Sequence, residues 1–122
     1  MTIQLDHTII HATDPEASAR FLADLLGLAP PKAVGPFHVV QVDNHVSLDF
    51  MADDRPIRPQ HYAFLVGETE FDEIFARITA RGLRYWADPI HRQPGQINTR
   101  DGGRGVYWPD PDRHNMEILT KS

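Results

Sequence analysis

The sequence predicts an α+β fold built from two modules that repeat one element order: strand, helix, then three strands. Apolar periodicity switches between about two and about 3.6 residues in the same succession in each half. Aligning His7 with His61 also aligns Phe21 with Phe75 and leaves the helix-ending Gly27 and Gly82 one residue apart in offset. Leu48-Asp49-Phe50 then reads against Met116-Glu117-Ile118, so a carboxylate takes the same place on the last strand of each half. Order, histidine and carboxylate recurring together mark an internal repeat, with modules at residues 1–54 and 60–122 of one domain.

Leu5 to Ala12 reads as a strand, with Leu5, His7, Ile9 and His11 on one face and Thr8, Ile10 and Ala12 on the other. Both faces are partly apolar, which predicts cover on each side. Thr13 or Asp14 caps the next helix, Pro15 suits its first turn, and Glu16 lies where the macrodipole favours a carboxylate. Ala17, Phe21, Leu22, Leu25 and Leu26 form its apolar stripe, and Gly27 ends it. Strands are expected around Ala33 to Val34, Phe37 to Val42 and His45 to Met51, with Asp43-Asn44 turning between the last two.

The polar, proline-marked stretch Ala52 to Gln60 links the halves. The second module reads as a strand from His61 to Val66, a helix from Glu68 to Arg81 with Phe71, Ile74, Phe75 and Ile78 on one face, and Gly82 as its stop. Leu83 to Trp86, Arg104 to Trp108 and His114 to Thr120 complete it as strands. Asp88 to Gly103 is a long loop, and Pro109 to Asp112 is a turn.

Composition narrows the chemistry. The chain has no cysteine, which excludes disulfides, thiolate metal sites, iron–sulfur clusters and cysteine nucleophiles. It has seven histidines, so a metal site here is built from His, Asp and Glu. A net charge of −5 with scattered Lys and Arg argues against nucleic acid as a partner. No apolar run approaches the roughly 20 residues that cross a bilayer, and the amino terminus lacks a secretory signal, so a cytoplasmic location away from membranes is expected. Gly102-Gly103-Arg104-Gly105 lacks the strand-to-helix setting of a phosphate-binding loop.

The opening LDHTIIHATDPEASARFLADLLGL and the closing GRGVYWPDPDRHNMEIL resemble the vicinal oxygen chelate superfamily. It groups glyoxalase I, fosfomycin resistance enzymes, bleomycin resistance proteins and extradiol dioxygenases. The resemblance spans nearly the whole chain. It implies paired βαβββ modules with sheets curled around a central cleft, commonly in a homodimer, and a divalent metal (Fe, Mn, Ni, Co or Zn). The family's metal positions fall on His7, Asp49, His61 and Glu117. Two departures carry expectations. Arg113 stands where the family turn has glycine, which predicts a hairpin of altered shape. Asp49 stands where glyoxalase I has glutamate, and its shorter reach favours a three-ligand site.

Two imidazoles and one carboxylate with open positions suit non-haem Fe(II) oxygenases and serve other divalent ions. Glu117 and Tyr107 are the expected catalytic groups, the tyrosine resembling one that metal-dependent relatives place beside substrate. His11, Arg92, Asn98 and Arg100 are candidates for substrate contact, the last three because a long loop rich in donors suits an anionic or polyoxygenated ligand. Trp108 is expected to fill the core, and His38, His45 and His114 to serve as strand or turn residues. The expected activity is metal-dependent, glyoxalase-like isomerisation or ring-cleaving dioxygenation of a small oxygen-bearing substrate. Its rival is non-catalytic ligand binding of the bleomycin resistance type.

Overall fold

The computed structural model describes residues 2–122, which form two compact units dividing between Ile57 and Arg58. In the first, β1 (His7–Ala12) leads into α1 (Pro15–Leu26), then β2 (Lys32–Val34), β3 (Phe37–Gln41) and β4 (Ser47–Ala52). The sheet runs β1-β4-β3-β2, with β1 parallel to β4 and the other pairs antiparallel. A parallel neighbour for β1 requires a crossover, and α1 is the element that supplies it.

Asp14 caps α1, its carboxylate accepting the Ala17 N–H at 3.1 Å, and Gly27 closes it in the left-handed region at φ 74°. The buried face of α1 is Ser18, Ala19, Leu22, Ala23 and Leu25, which shares Leu22 and Leu25 with the expected stripe but is rotated from it: Ala17 is exposed and Phe21 and Leu26 are half-buried. Against it lie Ile10, Ala12, Val40, Leu48 and Phe50. β1 is covered on that face only. His7 and Ile9 point the other way and are exposed, contrary to the expectation of cover on both sides.

In the second unit, β5 (His61–Leu65), α2 (Glu68–Ala80), β6 (Gly105–Pro109) and β7 (Asn115–Leu119) form a three-stranded sheet of order β5-β7-β6 with its helix. β5 is parallel to β7, and β6 antiparallel. Phe71, Ile74 and Ile78 of α2 are buried, as are Val106, Trp108, Met116 and Ile118. Trp108 is fully buried, as expected of a core residue. Arg104 covers Phe71 at 4.3 Å and pairs with Glu68 and Asp72, sealing one end of this core.

Leu83 to Trp86 does not become a strand. Trp86 exchanges both backbone hydrogen bonds with Tyr107, at 2.9 and 2.8 Å, but its neighbours turn into the loop: the Tyr85 carbonyl accepts from Gly95 and the Ala87 N–H donates to Gln93. With those groups committed, the ladder cannot extend beyond one residue. The Pro109–Asp112 turn closes on Asp110, whose Oδ1 accepts the N–H groups of Asp112 and His114 at 2.9 and 2.8 Å. Arg113 takes φ 68°, so the turn keeps the left-handed residue despite lacking glycine.

The repeat holds at the level of register. Asp49 pairs with Ile9, two residues after His7, and Glu117 pairs with Ala63, two residues after His61. In each unit the imidazole and carboxylate thus share the face turned away from that unit's helix.

Candidate functional site

The second unit gathers the denser constellation. Glu117 stands directly across the β6–β7 ladder from Tyr107, and both are buried. His61 stacks on the Tyr107 ring at 5.8 Å, and its Nε2 lies 3.1 Å from Glu117 Oε1. Burial first, then the hydrogen bond to Glu117 and its negative charge, hold the Tyr107 phenol above its ordinary pKa, with Arg100 acting in the opposite sense. Tyr107 is therefore a hydroxyl that keeps its proton and offers it to a carboxylate.

His61 Nδ1 lies 2.9 Å from the Asn115 carbonyl, which only accepts, so the ring proton sits on Nδ1. In the neutral ring this leaves a lone pair on Nε2 facing the Glu117 oxygen. Two acceptors at that spacing require a shared positive centre, either a proton or a cation. Ligands about 2.1 Å from one ion and at right angles to each other stand about 3 Å apart. The donor set and its spacing therefore fit a divalent metal, with Nδ1 anchored to a carbonyl as metal-binding imidazoles usually are.

In the first unit His7 and Asp49 share a face but are turned to other partners. His7 Nδ1 lies 2.7 Å from Asp6 Oδ2, and Asp49 accepts the Ser47 hydroxyl at 2.9 Å. The Asp6 hydrogen bond raises the His7 pKa against a smaller cost of desolvation, and the negative charges of Asp49 and Asp6 add to the rise. Among the described residues, no three His, Asp or Glu side chains stand together as a metal-ligand group.

The other candidates separate. His11 Nδ1 stands 3.6 Å from Asp53, which Arg55 holds in an ion pair. Arg100 reaches Tyr107, whereas the Asn98 amide is spent inside the loop, donating to the Ala87 carbonyl at 2.7 Å. Arg92 is exposed, and its backbone N–H, with that of Gln93, closes on the buried Asp88 carboxylate. His38 lies in β3, His45 occupies the β3–β4 turn at φ 68°, and buried His114 accepts the Gln60 N–H at 2.9 Å. Sequence reasoning passed over Asn115, His91 and Trp86. His91 stacks on Trp86 with centroids 4.0 Å apart and bonds Asn115, a set of contacts made by loop geometry that no spacing in the chain announces.

A sequence profile of the glyoxalase/bleomycin resistance protein/dioxygenase superfamily matches residues 4–118. The chain belongs to this superfamily. Among solved structures, Oxidase ChaP-H1 is 71% identical, with 99% of this chain and 98% of that one covered and a TM-score of 0.98. Oxidase ChaP-H2 is 59% identical over 100% and 96% of the two chains, with a TM-score of 0.98. Glutathione transferase FosA of Serratia marcescens is 26% identical over 128 residues, covering 100% of this chain and 84% of that protein. Superfamily members typically use a divalent metal and act on small molecules, and the relatives named for an activity are enzymes. Among the described residues no helix is long and apolar enough to cross a membrane.

Proposed function

We propose that the protein is a divalent-metal-dependent oxidase or oxygenase acting on a small substrate with adjacent oxygens, with His7, His61 and Glu117 as metal ligands and the shorter Asp49 as an auxiliary. The observation that carries this is His61, with Nδ1 committed to the Asn115 carbonyl and Nε2 facing Glu117 Oε1 at 3.1 Å. The 71% likeness to a chain named an oxidase favours oxidation over isomerisation. A homodimer is part of this reading, because superfamily members are often dimeric.

When bound, the metal supplies a Lewis-acid centre that chelates substrate oxygens and, as iron, a one-electron partner for dioxygen. The chain's own groups do the rest. Tyr107 orients Glu117 by donating to it, and holds a proton at its hydroxyl that a substrate oxygen can share. Arg100 beside Tyr107 and Arg92 on the loop offer charged donors to an anionic or phenolic oxygen, His11 is the remaining proposed substrate contact, and Asn98 serves the loop instead.

The test is metal analysis of untagged protein, followed by anaerobic Fe(II) loading and oxygen uptake with catechols. Stoichiometric metal in the wild type, lost in His61→Ala and Glu117→Gln, is the expected result. Substoichiometric metal that neither reconstitution nor those substitutions alter overturns the metalloenzyme reading. Tyr107→Phe should keep the metal and lower turnover by about a hundredfold, read from steady-state rates.

A further inference from the structure

Four hydrogen bonds converge on Asn115, the first residue of β7. Its N–H donates to the Gln60 carbonyl at 2.7 Å, and its own carbonyl receives His61 Nδ1–H at 2.9 Å. Its side-chain Nδ2 donates to the Pro89 carbonyl at 3.1 Å, and its Oδ1 lies 3.0 Å from His91 Nε2. The Pro89 carbonyl fixes the orientation of the amide, so Oδ1 is the acceptor and His91 carries its proton on Nε2. Both ends of one amide are thus tied to one loop.

That loop is built to hold His91 in place. The ring lies flat on Trp86, centroids 4.0 Å apart and planes 6° from parallel. Its backbone sits at φ 59°, a left-handed conformation that disfavours a branched L side chain. Asp88 accepts the Arg92 N–H on both carboxylate oxygens, the Gln93 N–H on Oδ1 and the His91 N–H on its backbone carbonyl. A non-glycine residue kept in that region, stacked and hydrogen-bonded, is a feature the surroundings impose.

We propose that His91 is a positioning residue for the candidate metal centre. Through Asn115 it steadies the carbonyl that takes the His61 Nδ1 proton, and so keeps His61 Nε2 as the lone pair facing Glu117. A strand's first residue frays most readily, and anchoring its side chain to the loop suppresses that motion where the imidazole needs it least. His91 itself touches neither metal nor substrate in this scheme. The proposal rests on the reading of His61 as a ligand, and its test separates the two.

His91→Gly removes the ring while suiting the left-handed backbone, so the loop keeps its path; Asn115→Ala removes both anchors. Nitrogen-15 NMR of the imidazoles in metal-free protein at about pH 8.5 follows the His61 Nδ1 proton without metal or turnover. The wild type should show a proton held on His61 Nδ1 and protected from exchange with water, and both variants should lose that protection. Zn(II) and Co(II) affinity, measured by chelator competition, should fall about tenfold in each. A His61 Nδ1 proton that stays as well protected in both variants, with unchanged metal affinity, overturns the proposal. If His61→Ala leaves metal affinity intact while His91→Gly still exposes the Nδ1 proton, positioning stands and the ligand reading falls.

Discussion

Asp110 serves two opposed demands. One oxygen closes the β6–β7 turn by accepting two N–H groups, while Oδ2 is buried with no hydrogen-bond partner. Burial raises its pKa even though the His114 N–H and the nearby His114 work to lower it. A raised folded pKa means the fold favours the protonated acid. That contribution is full below the unfolded value near 3.8 and is lost as pH rises through the folded one. Asp110→Asn keeps the accepting oxygen and removes the buried charge, so its thermal midpoint relative to the wild type should climb between pH 4 and pH 7. Asp110→Ala abandons both N–H groups and should cost about 1–3 kcal/mol in denaturant unfolding. The sequence pointed to this turn and to the strain at Arg113, but an altered hairpin does not follow, because Asp110 supplies from a side chain the closure that glycine would have eased.

At the scale of elements, what was legible was whatever a local pattern determines. The caps of α1, the order of seven strands' worth of apolar runs, and the paired histidines and carboxylates all lie in short stretches of sequence. The failure at Leu83 to Trp86 has a different origin: the stretch has strand composition, but Gln93 and Gly95 of the loop that follows fold back and capture its flanking backbone groups. The burial of α1 is a smaller miss of the same kind, decided by which face the sheet covers. The loop depends on Gly105 as well, where an added Cβ would lie 2.9 Å from both amide atoms of Asn98. Gly105→Ala should push Asn98 off the Ala87 carbonyl and cost about 1–3 kcal/mol, measured by urea unfolding. Asp88 ties the same loop in its ionised form: burial works to raise its pKa, but N–H donation from Arg92 and Gln93 outweighs it and the net shift is downward. Its stabilising contribution is present above the ordinary carboxylate pKa and disappears as pH falls through the depressed one, which Trp86 fluorescence should follow in an acid titration.

For the whole molecule, the site was legible as a list of residue types and far less as an arrangement. His61, Glu117 and Tyr107 come together as their strand positions imply, whereas His7 and Asp49 have the same register but other partners. If a divalent ion binds as proposed, its free concentration at a hundred times Kd should add about 2.7 kcal/mol to the unfolding free energy, and Glu117→Gln should abolish the gain. The repeated register also makes the two halves a controlled comparison set up within one chain. Each carries the same pair at the same offset; in one the carboxylate has an extra methylene and reaches the imidazole, and in the other it is shorter and rests on a neighbouring hydroxyl. Side-chain length, and the partners Asp6 and Ser47, separate the two copies. Asp49→Glu combined with Ser47→Ala would supply the missing methylene and release the hydroxyl, lengthening the reach of the auxiliary carboxylate beside His7 without altering the backbone that presents it.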